Sequence, residues 1–374
     1  MAQNISNVKA REEKLILLHI DSLAREFDAA KLLKSKLQHM GFRVVLSSRR
    51  STYYLTKWFT PSATILTHTF SLPNEIKNKL QSQGGKVLLN VVEEVMGDET
   101  YMNIFYRSDV QPELFDSIFV WSKWAKNWLN ERINISKDKV HAVGSIRNSL
   151  LATPRCSKPT SSKIGILGRF EGINTWDKRH PFNDLVNMDP HFKDVDTRFY
   201  MEKKAIDCEG FCIAVKAIEK LISAGYEIVF RPHPNEDISS YQILREKFGT
   251  KLIINNDTSL LDFLNSVKCI CGPSSSAFTE AYLMKVPIIS FSDLQIHRYS
   301  DPEVYESLDF MDLGAHKPQT IDELTNLCMD DSLEPVSSKK LDNYLNDFYS
   351  LNNEDNAADA ITHSIFLQKD QMRR

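Results

Sequence analysis

Short apolar runs alternate with longer amphipathic stretches along most of the chain, and no other feature limits its folding as much. The run Leu15-Ile16-Leu17-Leu18 is apolar at every position, as a strand covered on both faces must be. Residues 23–40 instead repeat their apolar side chains at helical spacing. Covered strands separated by helices belong to parallel sheets, because each helix returns the chain over the sheet before the next strand begins. Residues 14–20 are therefore predicted as a strand, 23–40 as a helix and 42–46 as the next strand. Strands at 63–67, 86–92, 116–121 and 139–143 continue the series, with helices at 73–83 and 123–132. This reads as one doubly wound domain.

A polar segment with two prolines, Pro154 and Pro159, interrupts the pattern at residues 151–163. A second alternating series follows: strands at 163–167, 227–230, 252–254, 268–271 and 287–291, and helices at 206–224, 241–248, 260–267 and 275–284. Residues 168–196 have no clear period, which marks them as functional or mobile. Two helical segments at 338–368 close the chain. With 374 residues the chain exceeds what one core usually holds. The expected organisation is a first Rossmann-like domain at 1–151, a linker at 152–162, a second Rossmann-like domain at 163–337, and C-terminal helices at 338–374 bracing the first domain.

Hydrophobic residues at 42% and charged residues at 25% fit a soluble globular protein, and no run reaches the length of a membrane-spanning helix. The first residues lack the apolar core of a secretory signal, so a cytoplasmic protein is expected. A net charge of -3 and the absence of a basic stripe with interleaved aromatics argue against nucleic acid as a partner. Six cysteines lack zinc-finger spacing, and Cys208, Cys212, Cys269 and Cys271 are expected in the core as reduced thiols. Trp121, Trp124 and Trp128 are read as core and helix face.

Ligands of open parallel sheets bind beyond the carboxyl ends of the strands. Two segments of the second series fall there. The strand at 227–230 runs into Arg231-Pro232-His233-Pro234, where two prolines stiffen the turn and Arg231 and His233 can donate to a phosphate or a base. The strand at 268–271 runs through Gly272 and Pro273 into Ser274-Ser275-Ser276 and a helix. Its hydroxyls and first N–H groups suit an anion, although an ordinary N-cap would need only one serine. Glu280, further along that helix, can accept from ribose hydroxyls.

Arg231-Pro232-His233-Pro234, then Gly272-Pro273-Ser274-Ser275-Ser276, then Glu280-Ala281-Tyr282-Leu283-Met284-Lys285-Val286-Pro287 resemble the donor domain of bacterial surface-carbohydrate biosynthesis proteins. That group includes β-Kdo transferases, and bacterial sialyltransferases share the His-Pro and serine motifs. In the first domain, Gly85 to Leu89 leading to Glu93, and Val143-Gly144-Ser145-Ile146-Arg147, extend the resemblance. It departs from the family at Lys285, where glycine is common, at Glu94, also usually glycine, and at Ile146, usually proline.

The resemblance implies a GT-B fold, two Rossmann-like domains facing across a cleft, and a CMP-activated acidic sugar as donor substrate, with no separate cofactor and no metal. It implies that His233 contacts the CMP phosphate or the cytosine, that Ser274 to Ser276 hold the phosphate, and that Glu93 is the catalytic carboxylate. Arg147 and Arg169, each at the end of a predicted strand, are read either as balancing an acidic sugar or as exposed arginines; Asp194-Val195-Asp196 is read as surface, with either aspartate as a second carboxylate if the long loop folds over. The expected acceptor is a growing surface glycan or glycolipid, with peripheral contact at the inner face of the membrane and with other glycan-assembly enzymes. Three competing expectations keep similar loops: transfer of glycerol or ribitol phosphate from a CDP-activated donor, epimerisation of a nucleotide sugar, and a non-catalytic nucleotide-sugar-binding scaffold.

Overall fold

The computed structural model describes residues 11–92, 112–133, 135–151, 162–178, 180, 197–255, 257–300, 311–349 and 357–371. They divide into two compact units, Met1–Leu150 with Tyr344–Arg374, and Leu151–Asn343. The boundary thus falls inside the first C-terminal helix, later than residue 338.

The first unit is a six-stranded parallel sheet in the order β2-β1-β3-β4-β5-β6. Its strands are β1 (Arg11–His19), β2 (Arg43–Ser47), β3 (Thr60–Leu66), β4 (Lys86–Asn90), β5 (Ser117–Val120) and β6 (Val140–Ala142). Helices α1 (Leu23–His39), α2 (Arg49–Trp58), α3 (Asn74–Ser82), α4 (Lys123–Arg132) and α5 (Ile146–Leu151) connect them. Ile16, Leu18, Ile65 and Leu88 of the sheet meet Leu33 and Leu37 of α1 in one core. Helix α12 (Ala357–Gln371) adds Ala357, Ala358 and Ile361 to that core, and its Asp359 pairs with Lys36. The opposite face buries Val87, Leu89, Ile118 and Val120 under Leu80, Trp128 and Leu129. Trp121 is buried as well, and its indole N–H donates to the Val91 carbonyl at 2.7 Å.

The second unit is a five-stranded parallel sheet in the order β11-β10-β7-β8-β9. It is built from β7 (Ile164–Leu167), β8 (Ile228–Arg231), β9 (Leu252–Ile254), β10 (Cys269–Gly272) and β11 (Ile288–Ser290). Its helices are α6 (Thr197–Ser223), α7 (Gln242–Phe248), α8 (Leu260–Ser266), α9 (Ser276–Leu283), α10 (Ile321–Met329) and α11 (Lys339–Tyr349). The strand residues alternate between cores, and Ile164, Ile166, Phe230 and Cys271 pack against Ala214, Ala217 and Leu221 of α6. Tyr282 of α9 donates to Asp342 of α11 at 2.7 Å, which seats the start of α11 in this unit.

Several sequence expectations change. Helices α2, α5 and α10 fill residues assigned to no element. Helix α2 also supplies the basic stripe with interleaved aromatics that had not been expected, in Arg49, Arg50, Tyr53, Tyr54, Lys57 and Trp58. Cys208 and Cys212 are exposed on α6 instead of buried, whereas Cys269, Cys271 and Cys328 are in the core as free thiols. Among the described residues no helix is long and apolar enough to cross a membrane.

Candidate functional site

In the second sheet the chain runs from β7 outward to β8 and β9, then returns to the other side of β7 to form β10 and β11. The order reverses between β7 and β10, and the crevice beyond the carboxyl ends of those two strands is where such sheets bind ligands. Three loops gather there: 168–172 after β7, 232–237 after β8 and 273–275 after β10.

The loops are locked together by close approach and by one carboxyl group. A Cβ on Gly168 would lie 3.0 Å from the Pro232 Cα and 3.1 Å from both Glu236 oxygens. A Cβ on Gly272 would come within 2.9 Å of the Leu167 Cβ. Glu236 Oε1 accepts from the backbone N–H of Phe170 at 2.9 Å and of His233 at 3.0 Å, while Oε2 is hydrogen-bonded to the Tyr241 hydroxyl. The guanidinium of Arg169 donates to the Ser274 carbonyl, joining the first loop to the third. Burial raises the Glu236 carboxyl to about 7 against the pull of these donors.

His233 is half-buried, and its Nδ1 accepts the Asn235 backbone N–H at 3.2 Å. That bond leaves the ring proton of the neutral imidazole on Nε2, which makes Nε2 a donor. Glu171 sits beside it. Burial alone would raise the Glu171 carboxyl, but Lys203, and then Arg169 and His233, hold it down at about 2. Lys203 bridges Glu171 and Asp207 at 3.0 Å each, and Asp207 accepts the Gly172 N–H at 2.8 Å. The ionised pair closes the base of the 168–172 loop onto α6.

The three serines have different surroundings. The Ser274 hydroxyl donates to Asp312 Oδ2 at 2.6 Å, and burial raises that carboxyl's pKa. Ser275 is the N-cap of α9, its hydroxyl accepting the Ala277 N–H at 3.3 Å. Ser276 is exposed in the first turn. Arg231 and Glu280 lie deeper than expected. The Arg231 side chain is buried, donates to the Thr258 carbonyl at 2.9 Å and lies over the Phe263 ring. Burial lowers its pKa and the buried Glu280 carboxylate raises it, so these two charges act on each other beneath the loops. The structure therefore brings His233, Arg169, Glu171 and the start of α9 to one edge, with Arg231 and Glu280 as buried supports.

Sequence reasoning missed Glu236, Glu171, Lys203 and Asp312. Glu236 follows His233 by three residues at the end of the same turn, the one local signal that pointed to it. Glu93, Glu94, Asp194 and Asp196 lie outside the described residues.

The first sheet reverses between β1 and β3, and its edge carries a second polar group. His19 ends β1 and shares a 2.7 Å hydrogen bond with Thr67 Oγ1, while its buried Nε2 makes none. Burial lowers the His19 imidazole to about 4. His19 lines a hollow of about 40 Å³ with Glu26, Thr67, Asn90 and Arg147, room for little more than a water or a hydroxyl. Beside it, Asp21, Glu26 and His68 hold side-chain ligand atoms within 4.8 Å of one another, a set that could hold a metal. Their own contacts account for them: Glu26 accepts the Asp21 N–H at 2.9 Å before α1, and His68 lies 3.5 Å from Asp21. After β6, Gly144 has φ 84° and Ser145 caps α5 by accepting the Asn148 N–H at 3.2 Å. Ile146 is then the first helical residue, a position that proline also suits.

Solved structures share this architecture. The wall teichoic acid polymerase TagF, in a variant soaked with CDPG, matches with a TM-score of 0.58 at 13% identity, over 97% of this chain and 91% of that one. The fold is GT-B. A proposed UDP-N-acetylglucosamine 2-epimerase from Listeria monocytogenes matches with a TM-score of 0.52 at 11% identity, over 97% of this chain and 98% of that one. No protein-family model and no curated relative matches the chain.

Proposed function

We propose that the chain is a glycosyltransferase that takes a Kdo-like or sialic-acid-like sugar from a CMP-activated donor and passes it to a surface glycan or glycolipid. The observation that carries the reading is the convergence of His233, Arg169 and the first turn of α9 at the switch point of the second sheet. In the reaction the bond between the anomeric carbon and the phosphate oxygen breaks as the acceptor oxygen bonds to that carbon. Negative charge collects on the departing CMP phosphate. The N–H groups that open α9, the His233 Nε2–H and the Arg169 guanidinium are suited to that charge without a metal.

The acceptor hydroxyl must lose a proton. Glu93, three residues beyond the end of β4, is our candidate for the base. His19 is a second candidate among the described residues, in the tautomer whose Nδ1–H donates to Thr67 and leaves the buried Nε2 as an acceptor. Turnover of Glu93→Ala and His19→Gln variants separates the two.

Calorimetric titration with CMP tests the donor site. Binding by the wild type that weakens about tenfold or more in His233→Ala and Arg169→Ala supports the reading, and no heat with CMP, CDP or UDP compounds refutes it. A second reading, transfer of a polyol phosphate from a CDP-activated donor, gains support from the likeness to TagF across nearly the whole chain. Mass spectrometry of the product distinguishes a sugar from a phosphopolyol.

A further inference from the structure

Helix α2 is seated on the hydroxyl groups of Thr52 and Thr56, with Tyr53 partly buried beside them, and turns Tyr54 and Trp58 outward. Thr52 and Thr56 are its fully buried residues; Thr52 Oγ1 bonds to Ser47 Oγ at 2.7 Å, and Thr56 donates back to the Thr52 carbonyl at 3.0 Å. The opposite face presents Arg50, Tyr54, Lys57 and Trp58, with Phe59 exposed directly after the helix. Trp58 is 73% exposed and Phe70, across the hollow described next, is 50% exposed. A water-exposed surface helix normally buries its apolar side and shows its hydroxyls, and this one does the reverse.

The cations are interleaved with the rings. Lys57 lies over Tyr53 at 4.1 Å and Arg49 lies over Phe70 at 5.4 Å. Next to them opens a hollow of about 610 Å³ lined by Arg49, Arg50, Tyr53, Phe70, Asn74 and Lys77 among others, with no acidic side chain in its wall. Lys77 is 1% exposed; its ammonium donates to the Thr69 carbonyl at 2.6 Å and Asn74 Oδ1 at 3.1 Å and lies 4.8 Å from the centre of the Phe115 ring, with neutral partners alone. Burial without a neighbouring carboxylate lowers its pKa to about 8. A buried ammonium is costly unless an anion completes it. The stretch that leads into the hollow is cationic: residues 29–74 contain seven lysines and arginines and no aspartate or glutamate, and Glu75, the next residue, is exposed and does not line the hollow.

We propose that this face docks on an anionic lipid surface, with a headgroup phosphate in the hollow between Arg49, Arg50 and Lys77 and the rings of Tyr54, Trp58 and Phe59 at the level of the headgroups. Charge decides the class of partner, because an acid-free cationic hollow calls for phosphate. The rings decide its form, because exposed indole and phenyl groups beside cations gain most where water gives way to acyl chains. The inference does not depend on the transferase reading.

The test is co-sedimentation of the full chain with vesicles of phosphatidylcholine alone or with added phosphatidylglycerol. Binding that needs phosphatidylglycerol, weakens with salt, and falls about tenfold in Trp58→Ala and at least as far in the double variant Arg49→Glu/Arg50→Glu supports the proposal. All three side chains are at the surface, and unchanged circular dichroism and thermal melting confirm that the variants fold. Equal partition into both vesicle types, no partition at all, or insensitivity to these substitutions overturns it. So does stronger binding to a single-stranded oligonucleotide that displaces the chain from vesicles. Inorganic phosphate that competes fully at the concentration of the lipid headgroups would reassign the hollow to a soluble ligand and also overturn it.

Discussion

The Glu236 carboxyl gives the sharpest check on the donor-side loops. It is almost fully buried, holds two backbone N–H groups from different loops, and is raised from its ordinary 4.5 to about 7 with burial as the leading cause. A carboxyl whose pKa is higher folded than unfolded stabilises the fold fully below the unfolded value. That contribution is lost as pH rises through the folded value, because the unfolded chain releases its proton first. The window therefore runs from pH 4.5 to about 7, and at 1.36 kcal/mol for each unit the loss is about 3 kcal/mol. Glu236→Gln keeps an oxygen for the two N–H groups and removes the titration. At pH 4.5 the variant should cost under about 1 kcal/mol, as one altered bond to Tyr241 would. Above pH 7 it should be the more stable protein. The assay is urea unfolding of both proteins across this range, with hydrogen exchange at the Phe170 and His233 amides as the local readout. The difference between the two curves isolates this carboxyl from every other titrating group. A difference that stays constant with pH would show that Glu236 is ionised throughout and that the three donors outweigh its burial.

Gly168→Ala should lose about 1–3 kcal/mol and weaken CMP binding together, since the new methyl meets the Pro232 backbone and the Glu236 carboxyl at once; urea midpoints and calorimetry read the two effects. Lys285→Gly should stabilise the second unit by about 1 kcal/mol in urea unfolding, because Lys285 holds φ 57°, in the left-handed region that costs any residue with a Cβ. His19 carries the opposite sign from Glu236: its pKa is lowered from 6.5 to about 4 by burial, so the stability it contributes is present above pH 6.5 and falls as pH drops toward 4. Between pH 6.5 and 5 the wild type should lose about 2 kcal/mol relative to His19→Gln, and an unchanged difference would refute the buried neutral state.

The eleven strands were legible because a strand covered on both faces has almost no choice of residues, and their ends moved by three residues or fewer. Lys285 was noted in the sequence only as standing where the resembled proteins commonly have glycine; its left-handed backbone, φ 57°, is what the structure adds. Helix α2 was not legible. Periodicity finds a helix by the apolar side chains that it buries, and α2 buries Thr52 and Thr56 while it exposes Tyr54 and Trp58. The spacing of Cys208 and Cys212 gave a helix correctly but not which side of it faces the core. Arg231 was read as a ligand because it ends a strand beside His233. The strand ends at Arg231, whose side chain is buried, whereas His233 belongs to the turn that leaves the sheet, and strand period does not carry across that turn.

The serine run shows why residue type alone misplaces an anion site. Three consecutive hydroxyls suggest three ligands, yet Ser274 is committed to Asp312 and Ser275 to the start of α9. What remains for a phosphate is the set of N–H groups in the first turn, worth about 0.3–1 kcal/mol through the helix dipole, and charge-assisted hydrogen bonds from His233 and Arg169 at about 1.5–3 kcal/mol each. The magnitudes put the imidazole and the guanidinium ahead of the hydroxyls. Ser276→Ala should therefore leave CMP affinity within about threefold of the wild type, while His233→Ala and Arg169→Ala each lower it about tenfold or more. A Ser276→Ala variant as damaged as His233→Ala would mean that the phosphate sits on the helix start itself, away from the loop that Glu236 holds in place.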